Sequence, residues 1–451
     1  MIDIYKKNEA KLIISSEDQG ILREIWEHFS FYADNYRFMP SYRNKMWDGK
    51  IRIFDLRTQE LPFGLLIKLS NFAKKRQYKL NIKEEVLKDY TITVEDQIFK
   101  TFAGECDLKV SGRSISPRDY QLDAFSHAVN NRRSILLSPT GSGKSLIIYL
   151  LIRYFLKSLD LDGSILIVVP TTSLVAQMTK DFEEYSSGET KVHQIYSGKE
   201  KFKIESRIVI TTWQSAYKLP KSWFDKFNMV IGDEAHTFKA KSLIKIMDSL
   251  ENASFRIGTT GTLPSENDVA SRMTLEGCFG PVYKVTTTKN LIDSNTLAPL
   301  EINCLILQYS DEECKLVKKM DYFQEIDFLV AHIKRNNFIQ NLVLKQTGNT
   351  LLLYNLVEKH GKVLYETLLD KCSGTNRKVF FVHGGIATDE REEIRRIAEK
   401  ENSSIVLHFG NLKVNLGYDD KVILTNGSFK YAKNITEDDD VCEKWIKVNC
   451  R

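Results

Sequence analysis

The run Ser138-Pro139-Thr140-Gly141-Ser142-Gly143-Lys144-Ser145 holds residue types whose spacing suits phosphate chemistry. An apolar run, Ser134–Leu137, precedes it, and a helical stretch, Leu146–Leu156, follows. A glycine-rich bend between a strand and a helix is the setting of a phosphate-binding loop. Gly141 and Gly143 let the backbone come close to phosphate oxygens, and the N–H groups of Thr140 to Ser142 and of the helix start then point at them. Lys144 can reach the β and γ phosphates, and the Ser145 hydroxyl can ligate Mg²⁺. Ser138 stands where the general pattern has glycine. The cofactors expected are therefore ATP and Mg²⁺.

A second constellation is Met229-Val230-Ile231-Gly232-Asp233-Glu234-Ala235-His236, an apolar strand ending in two acids. In a parallel sheet the strand carboxyl ends face the ligand crevice. There Asp233 can hold Mg²⁺, and Glu234 can orient and deprotonate the attacking water. His236 can report the state of the γ-phosphate. Alone, an Asp-Glu pair after a strand is more often a helix start. With a phosphate loop upstream, it reads as hydrolytic machinery.

These residues need a scaffold, and the chain has its rhythm. From 113 to 298, strand-sized runs (Ser134–Leu137, Ser164–Val169, Arg207–Thr211, Met229–Ile231, Arg256–Thr259) alternate with helical stretches. That alternation predicts an α/β domain with a parallel sheet. From 299 to 415 the rhythm restarts, with runs at Glu301–Leu307, Thr350–Tyr354, Lys378–Val382 and Ser404–Leu407. This is the opening part of a second such domain. Residues 1–112 look like a small mixed domain with an amphipathic helix over Ser16–Phe31, strands at Lys50–Phe54 and Tyr90–Val94, and a linker at Ser111-Gly112-Arg113. The tail, 416–451, breaks the pattern. The 451 residues carry a net charge of +5, with 42% hydrophobic and 27% charged residues. That balance excludes membrane, fibrous and disordered classes. Seven scattered cysteines without a CxxC pair fit a reducing cytoplasm rather than a disulfide or zinc scaffold.

Asp233-Glu234-Ala235-His236 is the DEAH form of the helicase box, and the set resembles superfamily 2 helicases and translocases. The resemblance implies tandem RecA-like motor domains with ATP between them. Arg118-Asp119-Tyr120-Gln121 looks like the adenine-sensing Q motif. In that role Gln121 bonds the adenine edge, and Tyr120 or Arg118 packs near the base. Pro170-Thr171-Thr172-Ser173 resembles motif Ia, and Thr211-Thr212-Trp213-Gln214-Ser215 the next strand-contacting motif. Thr171, Thr172, Thr212, Trp213 and Gln214 are thus candidate nucleic-acid contacts. Thr260-Gly261-Thr262 resembles motif III, which links hydrolysis to movement.

Between Phe31 and Lys79 there are eleven Lys and Arg against four acids, or +7. Tyr32, Tyr36, Phe38, Tyr42, Trp47 and Phe54 are interleaved with them. Cations with aromatic platforms suit a nucleic-acid backbone and its exposed bases. Taken singly, each of these aromatics reads as core. Arg37, Arg43, Lys45 and Trp47 lie in the segment Tyr36–Arg52 which, with Leu61-Pro62-Phe63-Gly64-Leu65, is similar to the amino-terminal domain of the UvsW-like helicases of T-even phages. That family implies unwinding and branch migration of forked, branched or single-stranded DNA in recombination, repair and replication. It also implies action on RNA–DNA hybrids, and a place in the host cytoplasm.

The family pattern fails near the end. His408–Val414 matches motif V poorly, and no QxxGRxxR motif VI follows. No arginine occurs between Arg396 and Arg451. Arginine fingers contribute about 10³–10⁵ in rate. The expectation is a weak ATPase by itself, or one completed by a second polypeptide. Leu416–Lys430 resembles the opening block of an intein, but Asn415 stands where a Cys or Ser nucleophile belongs. A truncated, frameshifted or mis-assembled tail, or a plain hairpin around Asn426-Gly427, is the simpler reading. Competing functions are a double-strand translocase subunit and a non-catalytic nucleic-acid-binding protein. A metabolic P-loop kinase has no use for the acidic box or the threonine motifs.

Overall fold

The computed structural model describes residues 1–88, 94–158, 163–298, 305, 307–410, 421–423 and 429–431. Two compact units divide the chain, Met1–Pro299 and Leu300–Arg451.

The first unit opens with strands Ile2–Lys6 and Lys11–Ser15. Leu12 and Ile14 point inward in strict alternation. They form a four-stranded sheet with Glu60–Pro62 and Leu80–Ile82, the last of which runs parallel to Ile2–Lys6. The amphipathic helix is shorter than expected, Gln19–His28, because the Asp18 carboxylate caps it by accepting from Gly20 N at 2.7 Å. Ile21, Leu22, Ile25, Phe29 and Phe54 are buried beneath the sheet with Phe63 and Leu69. Lys50–Arg52 is a strand, but it pairs with Ser30–Tyr32 in a separate two-stranded ribbon. The strand expected at Tyr90–Val94 falls outside the described residues, apart from Val94.

The linker expected at Ser111-Gly112-Arg113 is instead a tight hairpin. Lys109–Val110 pairs with Arg113–Ser114, and Ser111 and Gly112 take φ of 51° and 74°. Two successive positive φ angles make the turn whose twist matches paired strands. Helix Asp96–Glu105 sends Phe99 and Phe102 against Phe125 and Tyr154, in the core of the motor. By packing, the small module's own core therefore closes at Val86.

Seven parallel strands form the larger sheet, in the order His193–Ile195, Ile208–Thr212, Ser164–Val169, Phe227–Asp233, Phe255–Thr260, Arg133–Leu137, Val282–Lys284. Ile165 to Val169 are all buried, as a parallel strand covered on both faces requires. The two edge strands, His193–Ile195 and Val282–Lys284, have no apolar run long enough to announce them.

The small module is seated against this larger sheet and its helices. Arg133, the first residue of the P-loop strand, donates from Nη2 to the Glu9 carbonyl and carboxylate, each at 2.7 Å. Its guanidinium lies 4.1 Å from the Phe63 ring centre. Gly64 lies so close to helix Val269–Phe279 that a Cβ there would be 2.0 Å from the Glu276 carbonyl oxygen.

The second unit has a three-stranded parallel sheet, in the order Thr350–Tyr354, Ile405–Phe409, Val379–Val382. Of the expected run Glu301–Leu307, only Leu305 and Leu307 are described. In the tail, Lys421–Ile423 pairs antiparallel with Phe429–Tyr431. The Asn426-Gly427 turn, residues 411–420 and the rest of the tail fall outside the described residues. Among the described residues, no helix is long and apolar enough to cross a membrane.

Candidate nucleotide site and nucleic-acid surface

The loop Ser138–Gly143 leaves strand Arg133–Leu137 and enters helix Lys144–Ser158. Gly141 and Gly143 sit at φ of 80° and 79°, where a side chain is strained. A Cβ on Gly143 would also lie 2.3 Å from Gln121 Nε2. Ser138 is fully buried, its φ is not positive, and its Oγ lies 2.6 Å from Ser142 Oγ. Serine at the first position thus adds a hydroxyl tie across the bend, which glycine would lack. Lys144 Nζ donates to the Ser138 carbonyl at 3.4 Å, so the ammonium already lies over the loop.

The Q-motif residues brace this loop. Tyr120 OH and Gln121 Nε2 both donate to the Ser142 carbonyl, at 3.0 and 2.9 Å. Gln121 Oε1 accepts from Arg118 N at 2.8 Å, and Arg118 Nη1 donates to Tyr120 OH at 3.3 Å. The structure therefore gives the Gln121 amide, 2% exposed, a positioning task on the loop's own backbone.

Asp233 ends its strand in the register opposite Thr259 and accepts from the Thr259 hydroxyl at 2.8 Å. The chain then turns at Glu234, which takes the left-handed conformation at φ 52°. Such a conformation in a non-glycine residue is concentrated at functional sites. Thr260, one residue beyond Thr259, joins everything. Its carbonyl accepts from Ser138 N at 2.9 Å, which ties it to the phosphate loop. Its hydroxyl donates to the Thr262 carbonyl at 2.8 Å. That uses its one hydrogen, so His236 Nδ1, 3.0 Å away, must be the donor to Thr260 Oγ1. Glu234 Oε2 lies 3.3 Å from the same nitrogen. The ring proton is thereby placed on Nδ1, and Nε2 is the open position.

Hard oxygen donors, the Ser145 hydroxyl and the Asp233 carboxylate, fit Mg²⁺, which takes one or two protein ligands and completes its shell with phosphate and water. The Ser145 hydroxyl here bonds Asp181 on helix Thr172–Tyr185, and burial raises that carboxyl above its usual range. Sequence reasoning had no signal for Asp181. Thr259 could have been found from its place opposite Asp233 in a parallel pair.

Of the expected strand contacts, Thr171 caps its helix by accepting from Leu174 N, and Thr172 is exposed. Thr212 is buried and bonds Ser215, and Trp213 packs into the apolar core beside it. Only backbone and partial side-chain surface therefore remain there for a ligand. Gln214 is exposed and reaches the Pro170 carbonyl at 3.5 Å, which joins the two motifs at one end of the sheet.

In the small module, Arg37, Arg43 and Lys45 are exposed, and Trp47 is half-buried with Nε1 donating to the Lys50 carbonyl at 2.9 Å. Of the six aromatics expected singly to be core, only Phe54 is. Tyr36, Tyr42 and Trp47 are half-buried, and Tyr32 and Phe38 stand in solvent. The excursion between the ribbon strands is too short to build a core around them.

Residues 4–83 match the family model "DNA helicase UvsW, N-terminal", and residues 114–265 match "Type III restriction enzyme, res subunit". The chain is 33% identical over 397 residues to the ATP-dependent DNA helicase uvsW of Enterobacteria phage T4, which covers 86% of this chain and 77% of that protein. It is similar to the crystal structure of T4 UvsW, with TM-score 0.58 and 31% identity over 90% of this chain and 80% of that one. A second T4 UvsW structure gives TM-score 0.57 and 34% identity over 63% of this chain and 99% of that one.

Proposed function

Since the chain belongs to the UvsW family of DNA helicases, we propose that it uses ATP hydrolysis to move on and remodel forked or branched DNA. The observation that carries this reading is the Thr260 junction. One residue holds the phosphate loop through Ser138 N and the acidic box through His236 Nδ1. Any shift of the γ-phosphate pocket is felt at His236 and at the Gly261-Thr262 turn.

The chain's residues divide the work. Gly141, Gly143 and the loop N–H groups receive the phosphates, and Lys144 neutralises their charge. Gln121, Tyr120 and Arg118 hold the loop open in shape and flank the adenine. Ser145 and Asp233 would hold Mg²⁺, which would neutralise the charge that develops on the phosphate oxygens. Glu234 accepts the proton of the attacking water at its carboxylate. Thr171, Thr172, Gln214 and the backbone near Thr212 and Trp213 contact the strand's phosphates, which fixes register without reading sequence. Arg37, Arg43, Lys45 and Trp47 add a second contact region. RNA–DNA hybrids and a second polypeptide that completes the motor belong to the same proposal.

The test is Glu234→Gln. Strand separation on a forked duplex should need ATP, and the variant should bind ATP and fork yet lose strand separation. A variant that still separates strands at the parent's rate removes Glu234 from the reaction and the proposal with it.

A further inference from the structure

We infer that Phe38, Met39 and Met46 form an apolar tip that enters the base stack where a branched nucleic acid divides, and unstacks it. This rests on the nucleic-acid reading above and gives the small module its own task within it.

Phe38 is 70% exposed, Met46 82% and Met39 38%, and backbone bonds from Tyr42 N to the Met39 carbonyl and from Met46 N to the Ser41 carbonyl hold them on one compact turn segment. The side chains behind the tip hold it out. Tyr36 stacks on Tyr32 at 4.5 Å between ring centres and meets Tyr42 edge-on at 4.8 Å. Gly49, at φ 81°, lies under the Tyr36 ring, where a Cβ would be 2.4 Å from Cδ2. Trp47 is fixed to the Lys50 carbonyl. The aromatics Tyr36, Tyr42 and Trp47 therefore make a stiff base, and among the described residues Phe38 and Met46 stand mostly in solvent.

The charge around the tip says what it meets. The Arg43 guanidinium lies 5.9 Å from the Phe38 ring and that of Arg37 5.7 Å from the Tyr36 ring. Lys45 is exposed beside Met46, and an open depression of about 550 Å³ runs between Tyr42 and Asp48. Apolar wedges among cations are the device of proteins that unstack a duplex, with the cations on phosphates and the Phe or Met between bases. A wedge must also resist being pushed back. The Arg133–Glu9 pair seats this module on the strand that carries the phosphate loop, and the Gly64 contact seats it on helix Val269–Phe279.

The experiment places 2-aminopurine at the branch of a forked duplex, or several pairs from it, and reads its fluorescence on binding of the full chain without ATP. The parent should raise the signal severalfold at the branch and leave the distant probe unchanged. Phe38→Ser with Met46→Ser should bind the fork within about threefold of the parent, keep its melting temperature, and leave the branch probe at its free-DNA level. Arg37→Gln with Arg43→Gln should instead weaken binding and lower the salt slope by about 2, one per phosphate contact. A Phe38/Met46 variant that raises the branch signal as the parent does overturns the inference, as does a parent that binds without raising it. A parent that binds no fork at all overturns the nucleic-acid reading itself.

Discussion

The hydroxyl of Thr260 has one hydrogen to give, and the Thr262 carbonyl takes it, so His236 must bring its own. Thr260→Val keeps the volume and removes this acceptor. ATP binding should then stay within about twofold, while DNA-stimulated hydrolysis falls about tenfold, or roughly 1.4 kcal/mol of barrier. Equal DNA stimulation in variant and parent would remove the hydroxyl from the coupling path. Another residue-scale test lies in the second unit. Burial, with Arg335 beside it, lowers the His360 pKa to about 4. Its folded pKa is below the unfolded value, so the unfolded chain binds the proton first. The stability it contributes is full above about 6.5 and is lost as the pH falls toward 4. Denaturant midpoints measured from pH 7.5 to 4.5 should fall more steeply in the parent than in His360→Gln. Parallel curves would show that His360 carries none of the acid sensitivity.

At the scale of elements, the phosphate loop is a bend held from behind by a helix start. Gly143→Ala meets both a strained φ and the Gln121 amide, and should lower ATP affinity at least tenfold. Adding Gln121→Ala removes the collision but not the strain, so the double variant should bind better than additivity allows. Strict additivity would contradict the brace. The loop, the acidic box and five of the seven motor strands were legible in the sequence, because buried parallel strands are long apolar runs and phosphate chemistry needs fixed spacings. The three-residue edge strands were not. The Ser111-Gly112 hairpin read as a linker because glycine signals a turn without saying what the turn joins. Tyr32 and Phe38 read singly as core yet are exposed, because composition cannot tell a solvent-facing ring from a buried one.

In the whole molecule, the small module is no tethered accessory. Arg133 is 4% exposed, pairs with Glu9 and lies over Phe63. Replacing it by leucine leaves the Glu9 carboxylate only its Lys6 partner, removes both Arg133 bonds to Glu9, and should cost about 1–3 kcal/mol of stability in denaturant unfolding. A loss below about 0.5 kcal/mol would mean the seam is held elsewhere. The seam had no sequence signature, since Glu9 and Arg133 are 124 positions apart. The claim beneath all of this is that Lys144 and the paired acids grip a nucleotide triphosphate. Calorimetric titration of a slowly hydrolysed ATP analogue into the chain tests it most directly. Saturable binding that requires Mg²⁺ and disappears in Lys144→Ala is the result expected. Binding that is the same in that variant, or no binding in the parent with Mg²⁺ present, would contradict it.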